Sequence, residues 1–118
     1  MLRVEVTQAD IDAGYPADPS QCPVALAYCH ASGAHWSDVA VNGLEILDVS
    51  DFQEIRYALP DVAVEWIGRL DNAAAVHYQR ELEAMETEGY EPADISTMEM
   101  ARREMQPFSF VLGEPLTI

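Results

Sequence analysis

The chain has no lysine, and its six basic residues are all arginine. Against them stand 21 Asp and Glu residues, so the formal net charge is −15 over 118 residues. A field of this sign and size repels nucleic acid and anionic lipid and attracts basic partners. The sequence also has no stripe of basic residues that could bind nucleic acid directly. We therefore expect no nucleic-acid partner, and a basic protein as the partner.

Long hydrophobic runs are also missing. The first residues, MLRVEVTQADID, lack the basic region and following apolar stretch of a secretory signal. No apolar run approaches the roughly 18–20 residues that span a bilayer. We therefore expect a cytoplasmic protein without a membrane partner.

Cysteine is scarce, with Cys22 and Cys29 seven residues apart. On one helix this spacing separates the Cα atoms by about 10 Å, beyond the roughly 7 Å that a disulfide tolerates. His30 and His35 lie nearby, but structural zinc sites normally match one close cysteine pair with a second, and this spacing does not. We expect buried free thiols and no metal.

Motifs for catalysis and for cofactors are absent. No glycine-rich phosphate loop occurs. Cys22 precedes Pro23 at a predicted helix N-terminus, where the helix dipole favours a thiolate, but no base or oxyanion site can be identified beside it. Any acid–base pair chosen among 21 carboxylates would be arbitrary. We expect no enzyme, no catalytic residue and no cofactor, and assign Cys22 a packing or capping role.

What the chain does have is apolar material, because 49% of its residues are hydrophobic. That fraction argues against disorder, which combines low hydrophobicity with high net charge. Its length suits one domain over residues 1–118.

Short strands and helices are predicted, most of them in the first third of the chain and at its end. Alternation predicts a first strand, Thr7 can cap a short helix that stops at Gly14, and Pro23 opens a helix that is apolar almost all round. The predicted elements are strands over 2–6, 55–59 and 108–112 and helices over 8–13 and 23–31.

The residues VAV-NG-LEI, 39–46, predict a β-hairpin. Asn42-Gly43 suits a two-residue type I′ turn, which needs positive φ at both positions. In that register Val41 faces Leu44 and Val39 faces Ile46.

Three further helices are predicted between residues 60 and 107. The first opens at Pro60-Asp61 with an apolar stripe at helical spacing, and the second, from Ala73 to near Gly89, has another. The third has Asp94 or Ser96 as its cap and ends before Pro107. The stripes are Val62, Ala63, Trp66, Ile67 and Leu70, then Ala75, Tyr78, Leu82 and Met85, and finally Ile95, Met98 and Met105.

Hairpins and helix runs without βαβ alternation predict an α+β domain with a small, mostly antiparallel sheet and packed helices.

Three stretches together resemble a family of small proteins of actinobacteria and their phages. They are ADIDAGYPADPSQCPVALA, RYALPDVAVEWIGRLD and PFSFVL, at residues 9–27, 56–71 and 107–112. The resemblance implies a phage or mobile-element context, hence a host-cell cytoplasm, and it transfers no catalytic residue.

The departure from that family pattern is a 35-residue stretch. In such proteins the helix ending in Arg-x-x-Asp is soon followed by the Pro-Phe strand, whereas here residues 72–106 intervene. We interpret this stretch as an acidic helical insertion that carries a specialised function.

The insertion contains the densest acidic run. Its candidate partner-binding residues are Glu81, Glu83, Glu86, Glu88, Glu91 and Asp94. The leading hypothesis is an inhibitor or modulator of a basic, nucleic-acid-binding host protein, in which carboxylates take the places of phosphates as a DNA mimic. A charge run is also typical of a solvated face, or of a salt-adapted or GC-rich source. The methionines 85, 98, 100 and 105 with Tyr78 and Tyr90 form either an adaptable partner surface or core.

The alternative hypothesis is a small-ligand-binding or sequestering protein. Its pocket would be lined by aromatic side chains. An anionic nucleotide would need cations, and the shortage of arginines counts against a nucleotide as the ligand. The aromatic candidates are Trp36, Tyr57, Trp66, Phe108 and Phe110, and the arginines are Arg3, Arg56, Arg69, Arg80, Arg102 and Arg103.

Overall fold

The computed structural model describes residues 1–92 and 95–116 of an α+β fold with two small antiparallel sheets. The predicted α+β class is confirmed. The elements are β1 Leu2–Val6, α1 Gln8–Ala13, α2 Pro23–Ser32, β2 Val39–Val41, β3 Glu45–Asp48, β4 Ile55–Ala58, α3 Asp61–Met85, α4 Thr97–Arg103 and β5 Phe108–Leu112.

Strands β1 and β5 pair with each other, with Leu2 opposite Leu112 and Val6 opposite Phe108. Alternate residues of both strands are buried, as a period of two requires. Helix α1 begins with a capping box in which Thr7 and Asp10 bond each other's backbone amides. The predicted bounds of these three elements are confirmed.

Helix α2 covers β1 and is buried on most sides, as predicted. Cys22 is its N-cap, and the Cys22 Sγ accepts a hydrogen bond from the Ala25 amide at 3.4 Å. Gly33 ends the helix in the left-handed conformation, with φ of 80°. The capping role assigned to Cys22 is therefore confirmed.

The hairpin is antiparallel, but its predicted register is wrong by two residues. Val41 lies opposite Ile46 instead of Leu44, which is exposed. The Asn42 Oδ1 accepts hydrogen bonds from the amides of Leu44 and Glu45 at 2.9 and 2.7 Å. Gly43 and Leu44 therefore become the two central residues of the hairpin turn. A slip of two residues leaves the same side chains facing the core.

The two helices predicted over 60–89 are one helix, α3, of 25 residues. The sequence DNAAA across the expected break contains no glycine or proline, so nothing interrupts the backbone hydrogen bonds. At 1.5 Å per residue α3 is about 37 Å long. It gives the molecule extents of 55 × 25 × 21 Å and a radius of gyration of 16.0 Å. A compact chain of this length has about 13–14 Å.

Only the first half of α3 contributes to the core. Ala63, Trp66, Ile67 and Leu70 are buried as predicted, but Val62, in the first turn of α3, is exposed. Among the described elements, α4 is the one that α3 contacts most extensively. None of the helices in residues 1–92 and 95–116 combines the length and apolar character that a membrane span needs.

Arg102 anchors α4 to the rest of the fold. Its Nε and Nη2 donate to the Gly14 carbonyl at 2.9 and 2.7 Å, and its guanidinium lies over the Tyr15 ring. Ser96 caps α4 by accepting the Glu99 amide at 3.1 Å, so of the two predicted caps the structure selects Ser96.

A buried polar pair joins α2 to the hairpin. The Tyr28 hydroxyl donates to Asp48 Oδ2 at 2.6 Å, and Ser50 donates to Oδ1 through its hydroxyl and its amide. Burial alone would raise the pKa of Asp48, but these hydrogen bonds outweigh it and hold the pKa below its usual value. A lowered carboxyl pKa stabilises the fold above the unfolded-state pKa, and that contribution is lost as the pH falls.

We expect Tyr28→Phe to lower the free energy of unfolding by about 1–3 kcal/mol at pH 7, because Asp48 loses a buried donor. The difference from the parent protein should shrink below about pH 4, where Asp48 is protonated in the unfolded state. Tyr57→Phe is the matched control, since Tyr57 packs beside Tyr28 with ring centroids 6.0 Å apart. Urea unfolding at pH 7 and pH 3 measures both; equal losses in the two variants would contradict the role of Asp48.

Candidate functional site

The predicted acidic residues lie at the far end of α3 and in the turn that follows it. Glu83, Glu86, Glu88 and Glu91 are exposed. Glu81 differs, because it is half-buried and accepts a hydrogen bond from the Tyr90 hydroxyl. The predicted Asp94 lies outside the described residues. We call Glu81, Glu83, Glu86, Glu88 and Glu91 the acidic tip.

The acidic tip is electrostatically unfavourable within the chain. Residues 81–91 contain five glutamates and no arginine. They stand at the C-terminal end of α3, where the helix dipole is itself negative and cations are normally favoured. The carboxylates therefore repel one another and the helix end, and an approaching cation relieves both repulsions.

An apolar stripe runs along α3 up to the acidic tip. It consists of Ala75, Tyr78, Leu82 and Met85, whose spacing places them on one face. Of the two roles considered for Tyr78 and Met85, core or partner surface, the structure leaves them on the surface: Tyr78 is 58%, Leu82 37% and Met85 57% exposed. The inward face of this half carries Ala74, His77 and Glu81 instead.

The methionines divide between the two roles considered for them. Met105 is buried and Met100 half-buried, so both are packed, whereas Met85 and Met98 are exposed. Of the tyrosines, Tyr78 is exposed and Tyr90 is half-buried against Glu81. The adaptable surface is therefore smaller than the sequence allowed and centres on α3.

A cleft of about 560 Å³ lies on the other flank of α3, against the segment that joins α4 to β5. We call it the α3 cleft. At its base Trp66 stacks on Phe108 with ring centroids 4.9 Å apart, and the Trp66 indole N–H donates to the Gln106 carbonyl at 2.9 Å. Across it, His77 Nε2 lies 2.6 Å from Glu104 Oε2.

The basic side chains of the α3 cleft are distinctive. Arg69 and Arg80 both line it. Each of the other four arginines has a carboxylate of the described residues within 4 Å, but these two have none among the side chains that the structure describes, a set that leaves out Asp51 and Asp94. The four ion pairs are Arg3–Glu5, Arg56–Glu54, Arg102–Glu99 and Arg103–Glu99.

The aromatic residues proposed for a pocket are only partly brought together. Trp66, Phe108 and Phe110 form one row, since the Phe108 and Phe110 centroids are 5.6 Å apart. Tyr57 packs on Tyr28 and Trp36 on His35, away from that row.

The cysteine and histidine candidates do not form a reactive site. Burial, with the nearby carboxylates of Asp71 and Asp18, raises the pKa of the Cys22 thiol to about 11, the reverse of an activated nucleophile. Both cysteines are free. His30 lies beside the buried Asp10, with Nδ1 3.0 Å from Oδ1. In the described ranges no three His, Cys, Asp or Glu side chains are grouped as metal ligands.

Sequence reasoning missed the α3 cleft. Arg69, Val76 and Arg80 recur at helical spacing, but this signal requires that α3 continue without a break through Asn72. The pairing of His77 with Glu104 joins residues 27 positions apart, and no local pattern reports such a contact.

Comparison of the chain with family models, with curated proteins and with solved structures gives no match.

Proposed function

We propose that the chain is a non-enzymatic binding protein, which docks a basic amphipathic helix of a partner protein on the second half of α3. The observation that supports this most is the exposed apolar stripe leading into the acidic tip. A solvated charged face needs no such stripe, since exposed Tyr78, Leu82 and Met85 gain nothing from water.

The chemistry of the partner follows from the two surfaces. Residues at i, i+4 and i+7 offer a ridge along which another helix can lie, in the manner of helix-in-groove recognition. The acidic tip then requires lysine or arginine at the end of that partner helix. A second copy of this chain does not meet the requirement, because each copy has a net charge of −15 and would place acidic tips together.

Inhibition is the expected consequence where the partner uses the same cations to bind nucleic acid. Carboxylates and phosphates compete for those cations by salt-dependent electrostatics, which is the physical content of DNA mimicry. The phage or mobile-element context implied by the resemblance would make the partner a basic host protein. The apolar stripe adds a contact that a phosphate backbone does not make.

Capture from a host lysate tests the proposal with three immobilised proteins. They are the parent, Leu82→Gln/Met85→Gln on the apolar stripe, and Val62→Gln, which alters an exposed valine at the other end of α3. We expect the parent and Val62→Gln to retain a protein with pI above about 9 that high salt releases. The stripe variant should bind the purified partner at least about tenfold more weakly, since two apolar contacts exceed 1.4 kcal/mol.

Two outcomes would contradict the proposal. If all three proteins retain the same partner with the same affinity, the apolar stripe is not the docking surface. If the retained proteins are not basic, or salt does not release them, the acidic tip has no part in binding.

A further inference from the structure

The α3 cleft concentrates positive charge in a strongly negative molecule. It holds Arg69 and Arg80, and the one carboxylate among its lining residues is Glu104. Glu104 pairs with His77, so the two arginines are left without a counter-charge among the described residues. A chain with 21 acids and six arginines has ample carboxylates to neutralise both.

Carboxylates close in sequence do not neutralise these arginines. Glu65 precedes Arg69 by one helical turn, and Glu83 follows Arg80 by three residues, yet neither lies within ion-pair distance. Glu83 instead accepts a hydrogen bond from Gln79 at 3.4 Å. Pairs at such spacings are normally favourable on a helix, so their absence here leaves two guanidinium groups ready for an external anion.

The α3 cleft also has an apolar side. Phe108 is half-buried on top of the buried Trp66, and Val76 is partly exposed between the two arginines. The Trp66 indole N–H is already bonded to Gln106, so the ring is fixed in place. A flat ring can lie against Phe108 and Val76 in an offset stack.

Size restricts the ligand further. The volume of about 560 Å³ is in the range of small-molecule sites, roughly 300–1,000 Å³. Arg69 and Arg80 are eleven residues apart, which is about 16 Å along the helix axis. The two arginines therefore enter the cleft at different places along α3, and their long side chains can converge on one ligand whose ring lies against Phe108.

We propose that the α3 cleft binds a small organic anion of nucleotide size, in which Arg69 and Arg80 hold carboxylate or phosphate groups and Phe108 holds a ring. This site is on the opposite flank of α3 from the apolar stripe and does not depend on the partner proposed above. Because the rest of the negatively charged surface repels such a ligand, the two arginines make this cleft the favoured place for an anion to bind.

Calorimetric titration with five defined probes tests the site. Adenosine 5′-monophosphate and benzene-1,3-dicarboxylate carry both a ring and negative charge; adenosine and benzamide carry a ring alone; inorganic phosphate carries charge alone. We expect at least one of the first two to bind at least about tenfold more tightly than its neutral counterpart and than phosphate. Which one binds distinguishes a phosphate ligand from a carboxylate ligand.

Substitution then locates the binding. Arg69→Gln/Arg80→Gln should weaken the anionic probe at least about tenfold, whereas Arg56→Gln, which removes an exposed arginine elsewhere, should change it less than about twofold. The Leu82→Gln/Met85→Gln variant should bind the probe as the parent does. The proposal fails if neither charged probe binds the parent at millimolar concentration, or if the double arginine variant binds it equally well.

Discussion

Trp66→Ala is expected to lower the free energy of unfolding by about 3–5 kcal/mol, as a large-to-small change in the core. Trp66 is only 3% exposed, and its ring stacks on Phe108 where α3 meets β5. The change removes that contact and leaves the Gln106 carbonyl without the indole donor. Both losses fall where the first half of α3 meets β5 in an aromatic stack.

Thermal and urea denaturation measure this loss, with Trp36→Ala as the control. Trp36 is 46% exposed and its recorded aromatic contact is with His35, so its removal should change stability by less than about 0.5 kcal/mol. A loss below about 1 kcal/mol for Trp66→Ala would show that the ring does not hold α3 on the sheet.

Local chemistry made the short elements predictable. Thr7 before α1, Pro23 and Gly33 at the two ends of α2, and alternation in β1 and β5 each act over a few residues, and the structure places those elements where expected. Val62 fails for a different reason. A helical stripe about 100° wide does not reveal which of its edges meets the core, and the fold turned Val62 outward.

The larger errors arise where one sequence pattern is compatible with two different structures. Asn42-Gly43 favours positive φ at both turn positions, but the Asn42 side chain accepts the amides of Leu44 and Glu45, and the turn is shifted by one residue. The change of apolar phase at Ala73 was interpreted as a new helix, whereas α3 continues and presents its second stripe to solvent. The sequence left both core and partner surface open for Tyr78 and Met85, because an apolar stripe alone does not show whether another element covers it.

The two candidate sites also differ in how far the sequence predicts them. Glutamates at the end of a helix are visible in sequence, so the acidic tip was predicted, although the contact between Tyr90 and Glu81 was not. The α3 cleft depends on residues 104–108 returning to a helix about 30 residues earlier. The contact between these two segments depends on the packing of the whole domain, so no periodic pattern in the sequence predicts it.

Reversing the exposed carboxylates of the acidic tip should change binding and stability in opposite directions. The variant carries lysine in place of Glu83, Glu86, Glu88 and Glu91, while Glu81 is kept because it accepts the Tyr90 hydroxyl. Lysines near the C-terminal end of α3 complement the helix dipole, so we expect a higher melting temperature. The same change removes the attraction for a basic partner, so affinity should fall by at least about a hundredfold at low salt and depend little on salt.

A control with the same net charge separates the position of the charges from their number. Lysine in place of Asp12, Glu54, Glu65 and Glu114 reverses four acids that lie outside the acidic tip. If total charge governs binding, both variants lose affinity equally, because long-range attraction depends on the sum of the charges. If the acidic tip docks the partner, the control keeps most of the affinity and a steep salt dependence. A tip variant that melts lower and binds like the parent would identify residues 83–91 as solvated surface with a structural role.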